Sequence, residues 1–180
     1  MSAQYKQETP DMSVEIELTI NGGLHRLSVE PTENLVTVLR DRLQMTGTHK
    51  DCEMGICGAC TVLVDNLPVS SCLMRAVQAD GAEIRTVEGL ESSDGLLSEV
   101  QHALLINGGV QCGYCTPGFV MTSVALLEEN SEPSREEIIE ALKGNICRCT
   151  GYAKIIGAIE IVAREHAAKA YADGGVRKCR

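Results

Sequence analysis

Apolar and polar residues alternate from Val14 to Ile20, with Val14, Ile16, Leu18 and Ile20 set against Glu15, Glu17 and Thr19. Asn21-Gly22-Gly23 follows, and a second alternating run extends from Leu24 to Val29. Alternation on both sides of an Asn-Gly turn predicts a β-hairpin, because Asn and Gly accept the left-handed backbone that a two-residue turn requires. Leu35, Val38, Leu39 and Leu43 then recur at helical spacing, which predicts a short amphipathic helix over 34–43. A glycine- and cysteine-rich loop covers 47–60. Short strands are expected at 61–64 and 67–71, either side of Asp65-Asn66, and Ile84 to Val87 is a further candidate. The first half reads as a small sheet with one helix packed on it.

The period changes near residue 90. Ser92-Ser93-Asp94-Gly95 offers helix-starting residues, and Leu96, Leu97, Val100, Leu104 and Leu105 follow as a helical stripe. Pro117 suits the first turn of a helix through Met121, Val124 and Leu127. Ser134 with Glu137 forms a capping box ahead of Ile138, Ile139 and Leu142, and Gly144 ends that segment. A last helix is expected over 153–171, with Ile155, Ile156, Ile159 and Val162 on one face. The second half reads as four helices, with the boundary at 85–94.

Composition changes this picture little. The 180 residues are 44% hydrophobic and 23% charged, a globular mixture, and aromatics at 3% leave the cores to aliphatic side chains. The formal charge of −9 argues against a nucleic-acid binder or an anionic membrane surface. The most apolar stretch, Ile155 to Ala163, is broken by Glu160 and is too short to span a bilayer. The first dozen residues carry no export pattern, so a cytoplasmic location is expected.

The nine cysteines change it more. They stand at 52, 57, 60, 72, 112, 115, 147, 149 and 179, an odd count in a chain with no export signal, which disfavours a disulfide framework. Cys52-x4-Cys57-x2-Cys60 followed by Cys72 has the spacing of plant-type [2Fe–2S] ferredoxins. Such a loop must turn sharply and aim amide N–H groups at sulfur, for which Gly47, Gly55 and Gly58 supply freedom. A four-cysteine zinc site is the alternative, although zinc ribbons pair two short C-x2-C knuckles. Cys112-x2-Cys115 with Cys147-x-Cys149 suits zinc as well as iron–sulfur. Two sets of four leave Cys179 as an incidental thiol, and the basic end Arg177-Lys178-Cys179-Arg180 suggests no role.

These loops also carry a resemblance. Gly47-Thr48-His49-Lys50-Asp51-Cys52-Glu53-Met54-Gly55-Ile56-Cys57-Gly58-Ala59-Cys60-Thr61-Val62 resembles the first-cluster loop of the small iron–sulfur subunit of molybdenum hydroxylases. Gln111-Cys112-Gly113-Tyr114-Cys115-Thr116-Pro117-Gly118 and Asn145-Ile146-Cys147-Arg148-Cys149-Thr150-Gly151-Tyr152 resemble its second-cluster loops. That family includes xanthine dehydrogenases, aldehyde oxidoreductases and carbon monoxide dehydrogenases, and the likeness runs from about residue 13 to 168. His49-Lys50-Asp51 departs slightly from common family variants without touching a ligand.

The resemblance implies an α+β chain in two domains. Residues 13–88 would form a β-grasp, plant-type ferredoxin domain holding an outer [2Fe–2S] cluster through Cys52, Cys57, Cys60 and Cys72. Residues 92–171 would form a four-helix domain holding an inner cluster through Cys112, Cys115, Cys147 and Cys149. Gln111 and Cys149 would contact the pterin of molybdopterin, in a dinucleotide form, on a large partner subunit. Electrons would pass singly to the inner cluster, the outer one, and then FAD on a medium subunit or another acceptor, within a heterotrimer or dimer of heterotrimers. No substrate chemistry is expected on this chain, whose carboxylate pairs Glu128-Glu129 and Glu136-Glu137 read as solvated helix faces.

Two rival classes remain at this point, a stand-alone two-cluster ferredoxin and a zinc-binding interaction module. His25, His49, His102 and His166 read as surface or capping residues, since none pairs with cysteine in a Rieske spacing. Tyr114 and Tyr152 read as packing residues of the ligand loops. Arg148 suits either a structural place or a role beside the inner cluster.

Overall fold

A computed structural model of the protein describes residues 12–92 and 94–172; Cys179 and the basic end lie outside them, as does Ser93. The first hairpin forms as its pattern demands. Strands β1 (Val14–Ile20) and β2 (Gly23–Val29) pair antiparallel, and Asn21 and Gly22 take the left-handed turn at φ of 50° and 81°. A second hairpin joins β3 (Thr61–Val64) to β4 (Leu67–Ser70) through Asp65 and Asn66, both also left-handed. Strand β5 (Glu83–Arg85) runs parallel to β1 and antiparallel to β3, giving the five-stranded order β2-β1-β5-β3-β4. The strand expected over Ile84 to Val87 is thus shifted towards the N-terminus, because Val87–Leu90 coils into a 3-10 turn.

The helix expected over 34–43 is short and changes pitch. It starts as α1 (Leu35–Thr37) and widens into a π turn over Val38–Arg42, closed by Leu43 N–H on the Val38 carbonyl at 3.1 Å. Leu35, Val38 and Leu39 still reach the sheet core with Ile16, Leu18, Ile20, Val62, Val64 and Ile84.

The second half contains four helices: α2 (Glu99–Ile106), α3 (Thr116–Glu129), α4 (Arg135–Ala141) and α5 (Ala153–Ala172). Helix α2 starts later than its hydrophobic stripe predicts. Ser98 and Gln101 form a capping box that satisfies the first-turn amides, whereas Ser92 folds into a separate turn by accepting Leu96 N–H on its hydroxyl at 3.2 Å. Leu96 and Leu97 consequently lie outside the helix, and they and Leu105 are exposed; Val100, Ala103 and Leu104 carry the buried face. Helix α3 begins with Pro117 in its first turn, and α4 with the Ser134–Glu137 capping box, as the sequence predicts. Ile138 is buried while Ile139 points outward, and Leu142 joins the core from a 3-10 turn over Leu142–Gly144. No described helix is long and apolar enough to cross a membrane.

Strand β3 belongs to both halves. All four of its residues are buried, because Val62 and Val64 enter the sheet core while Leu63 enters the helical core with Phe119, Met121, Ile155 and Ile159. The alternation of a strand therefore serves two hydrophobic cores, one on each face.

Candidate metal centres

Three cysteines of the first set lie on the 47–60 loop. Its start is pinned by Arg40, whose Nη1 donates to the carbonyls of Thr46 and Thr48 at 2.6 Å, and by Glu88, which accepts Gly47 N–H at 2.8 Å. Gly47 is required for this close approach to Val87 and Glu88 rather than for a left-handed backbone. Beyond it the chain reverses through Glu53, Gly55 and Gly58 at φ of 55°, 70° and 69°. That reversal turns N–H groups of Met54, Ile56 and Cys57 onto the Cys52 sulfur at 3.5, 3.4 and 3.4 Å. Cys72 follows the β3–β4 hairpin, which returns it beside Cys60; both are buried against Val36, and Ser71 donates its hydroxyl to the Cys60 carbonyl at 2.6 Å. Cys52 and Cys57 are half-buried.

The second set is assembled from two distant loops. Cys112 and Cys115 precede α3, with Cys115 as its N-cap residue, while Cys147 and Cys149 lie between the Leu142–Gly144 turn and α5. The sulfurs of Cys112 and Cys149 are 3.6 Å apart, and both residues are exposed, as is the neighbouring Gln111. Cys115 contacts Cys147 deeper in the fold. Cys147 sulfur accepts the Thr150 hydroxyl at 3.0 Å and the Thr150 N–H at 3.4 Å, and its own N–H donates to the Tyr152 hydroxyl at 3.1 Å. Tyr152 packs edge-on against buried Phe119.

The two sets are joined directly. Ile146 N–H donates to the Cys57 carbonyl at 2.9 Å, and the Asn145 side chain donates to the Gly58 carbonyl at 3.1 Å. On the other flank His49 Nδ1–H donates to the Tyr114 carbonyl at 2.7 Å, the two rings stack at 4.7 Å, and Tyr114 hydroxyl donates to the Lys50 carbonyl at 2.6 Å. His49 is therefore part of a clasp between the two ligand loops, not a plain surface histidine. Farther out, Arg85 on β5 grips Glu128 on α3 with both terminal guanidinium nitrogens, at 2.8 and 2.5 Å.

The sulfurs differ in how readily they ionise. Amide N–H groups of Met54 and Cys57 lead in bringing the Cys52 thiol down to about 7. Burial, reinforced by the neighbouring Cys60, pushes Cys72 up to about 11, and burial with Cys147 pushes Cys115 up to about 12. Burial is the largest single influence on Cys147 and acts upward, but hydrogen bonds from the Thr150 hydroxyl and amide, the Cys149 amide and Cys115 together hold that thiol below its ordinary value. Cys149 is raised by its contact with Cys112. In each set hydrogen-bond donors ease the ionisation of one sulfur, Cys52 in the first and Cys147 in the second.

All eight are free thiols; Cys60 and Cys72 lie together, Cys115 lies against Cys147, and Cys112 against Cys149. Among the described residues no group of three or more His, Cys, Asp or Glu closes around a single ion. Four cysteines to a set, with N–H and O–H donors aimed at sulfur, suit two bridged irons, each needing two thiolates.

Comparison with known proteins agrees with this chemistry. Residues 18–90 match the 2Fe-2S iron-sulfur cluster binding domain, and residues 86–160 match the [2Fe-2S] binding domain. The nicotine 6-hydroxylase small subunit of Paenarthrobacter nicotinovorans is 48% identical over 84% of this chain and 90% of that protein. The xanthine dehydrogenase iron-sulfur-binding subunit of Escherichia coli O157:H7 is 44% identical over 82% of this chain and 92% of that protein. The chain belongs to the [2Fe–2S] subunits of the molybdenum hydroxylase family. Its fold superposes on quinoline 2-oxidoreductase from Pseudomonas putida 86 with a TM-score of 0.82 at 43% identity, covering 92% of this chain and 99% of that one. The aldehyde oxidoreductase of Desulfovibrio gigas gives the same TM-score at 36% identity over 93% of this chain, which corresponds to 19% of that longer polypeptide.

As a member of that family this iron–sulfur subunit is an electron-transfer component of a multisubunit oxidoreductase with larger partner subunits. The structure brings Cys52, Cys57, Cys60 and Cys72 together, and separately Cys112, Cys115, Cys147 and Cys149, and it places Gln111 on the exposed side of the second set. Sequence reasoning missed the residues that hold the loops: Arg40, His49, Glu88 and Asn145. Asn145 carried a signal, a polar residue two positions before a ligand pair and close to a helical core.

Proposed function

We propose that this subunit carries electrons one at a time from molybdopterin on a large partner subunit toward FAD on a medium subunit, in a cytoplasmic heterotrimer or dimer of heterotrimers. A [2Fe–2S] cluster accepts one electron, so two of them in series divide a two-electron oxidation into single steps. Cys52, Cys57, Cys60 and Cys72 would hold the outer cluster in a β-grasp domain over 13–88. Cys112, Cys115, Cys147 and Cys149 would hold the inner one in a four-helix domain over 92–171.

The observation that carries this reading is the hydrogen bond from Ile146 N–H to the Cys57 carbonyl at 2.9 Å. Cys57 belongs to one set, and Ile146 is bonded directly to Cys147 of the other. The sulfurs of Cys57 and Cys147 are thereby linked by covalent bonds and a single hydrogen bond, with no gap across solvent. Donors aimed at the Cys52 and Cys147 sulfurs stabilise added negative charge and so raise the tendency of each site to accept an electron. Gln111, Cys112 and Cys149 form an exposed edge on the second set, where the Gln111 amide could bond a pterin and a partner subunit would exclude water. A stand-alone ferredoxin would leave that edge bare.

The test is metal analysis of the natively purified protein with its co-purifying chains, followed by Gln111→Ala. About four irons per copy, with molybdenum and larger chains, supports the reading. Four irons without molybdenum or partners would favour the independent ferredoxin, and zinc in place of iron would refute electron transfer. Gln111→Ala should disturb molybdenum-centred spectra while leaving iron content intact; loss of iron would refute its pterin-facing role.

A further inference from the structure

Asn145 is 3% exposed, lies between the two sets of cysteines and belongs to neither. Its Nδ2 donates to the Gly58 carbonyl at 3.1 Å, its Oδ1 accepts the Thr122 hydroxyl at 2.9 Å, and its backbone N–H donates to Leu142 at 2.9 Å. The side chain is thus fixed from the loop of the outer set, from α3 and from the turn that precedes the inner pair. A buried primary amide is costly unless both ends are paired, and here both are.

What this holds in place is the neighbouring bond. Gly58 follows Cys57, and Ile146 follows Asn145, so two successive carbonyls meet two donors from successive residues. The Asn145 amide fixes the Gly58 peptide and with it the orientation of the Cys57 carbonyl that Ile146 engages. The surroundings are built to this spacing. A methyl group added to Gly58 would overlap the Gly144 carbonyl and Asn145, and one added to Gly118 would overlap the Gly58 carbonyl and press on the Asn145 amide. A Ser side chain would fall short of one partner, and Leu would fill the space but could neither donate nor accept.

We propose that Asn145 is the positioning residue for electron transfer between the two clusters, keeping the Cys57 carbonyl and the Ile146 N–H in register. The inference rests on the assignment of Cys57 and Cys147 to two different clusters. Its effect is on rate: Asn145 touches no sulfur, so neither cluster's potential depends on it directly.

The experiment uses the native complex purified through this chain, with Asn145→Leu and Thr122→Val as variants. A photogenerated one-electron reductant is supplied in sub-stoichiometric amount, and rapid-freeze EPR follows redistribution of the electron between the two cluster signals. Asn145→Leu should retain full iron, both EPR signals and both midpoint potentials, while redistribution slows by about tenfold or more, since small positional errors are expensive in such steps. Thr122→Val, which frees one end of the amide, should slow it in the same direction by a smaller factor. If the Leu variant does not assemble, Thr122→Val decides by the same readout. An unchanged rate in a variant that keeps both clusters overturns the inference and leaves the electron-transfer reading standing. A native complex that lacks two distinct cluster signals overturns that reading instead.

Discussion

The two sets of cysteines reach similar sulfur arrangements by different means. In the first, three of the four lie within residues 52–60, and the backbone of that same loop supplies the N–H donors to Cys52. In the second, two short pairs meet only because the α3 N-terminus packs beside the segment leading into α5, and a side chain, the Thr150 hydroxyl, makes the closest contact to sulfur. The buried pair Cys60 and Cys72 lies deep in the first set, whereas the second leaves Cys112 and Cys149 open to solvent. A site written into one loop depends on backbone conformation, while a site assembled from two loops depends on the packing that brings them together.

That contrast can be broken most severely at Gly58, the point where both sites meet. Gly58→Ala forces a methyl onto a left-handed residue and into the Gly144 carbonyl, and should cost at least about 3 kcal/mol. Denaturant unfolding should report the loss, and iron analysis should show both clusters depleted. Depletion of the outer cluster alone would mean that the loops tolerate separation. Cys57→Ser is milder, because it removes one sulfur and keeps the carbonyl that Ile146 uses. It should abolish the outer cluster's EPR signal and electron export while the inner signal survives.

Smaller effects sharpen the difference in donors. Thr150→Val deletes the hydroxyl bond to Cys147 and should lower the inner cluster's midpoint by about 20–60 mV with the outer one unmoved, as potentiometric EPR would show. Smallest is Glu128→Gln, worth about 0.5 kcal/mol because the pair is half-exposed. Arg85 holds the Glu128 carboxyl below its ordinary range, so its contribution is complete above that range and fades as pH falls through the lower folded value. The gap in unfolding midpoint between native protein and Glu128→Gln should therefore narrow from about pH 7 to about pH 4.

Local chemistry was readable in the chain wherever a few neighbouring residues sufficed to dictate it. Asn21-Gly22 fixed a turn, Ser134 and Glu137 fixed a helix start, and the cysteine spacings announced two metal sites. Helix α2 was misplaced because Leu96 and Leu97 extend an apolar period that Ser98 and Gln101 interrupt with a better cap. The π turn over Val38–Arg42 keeps the apolar face of a regular helix, so periodicity could not reveal it. Glu88, Asn145 and the His49–Tyr114 clasp act across long sequence separations, where spacing carries no information, and Arg40 reaches the Thr46 and Thr48 carbonyls, which no side-chain pattern marks.

Strand β3 has a consequence for anyone wishing to reuse this protein in pieces. Leu63 is fully buried among helices while Val62 and Val64 complete the sheet, so a sheet fragment cut at the boundary over 85–94 would present Leu63 and its neighbourhood to water. Such a fragment would be sticky, and its loop would lose the partners of Cys57 and Gly58 at the same time. Such a cut would sever the bonds joining the two cysteine sets together with the Leu63 contacts, and a graft that preserves one must carry the other with it.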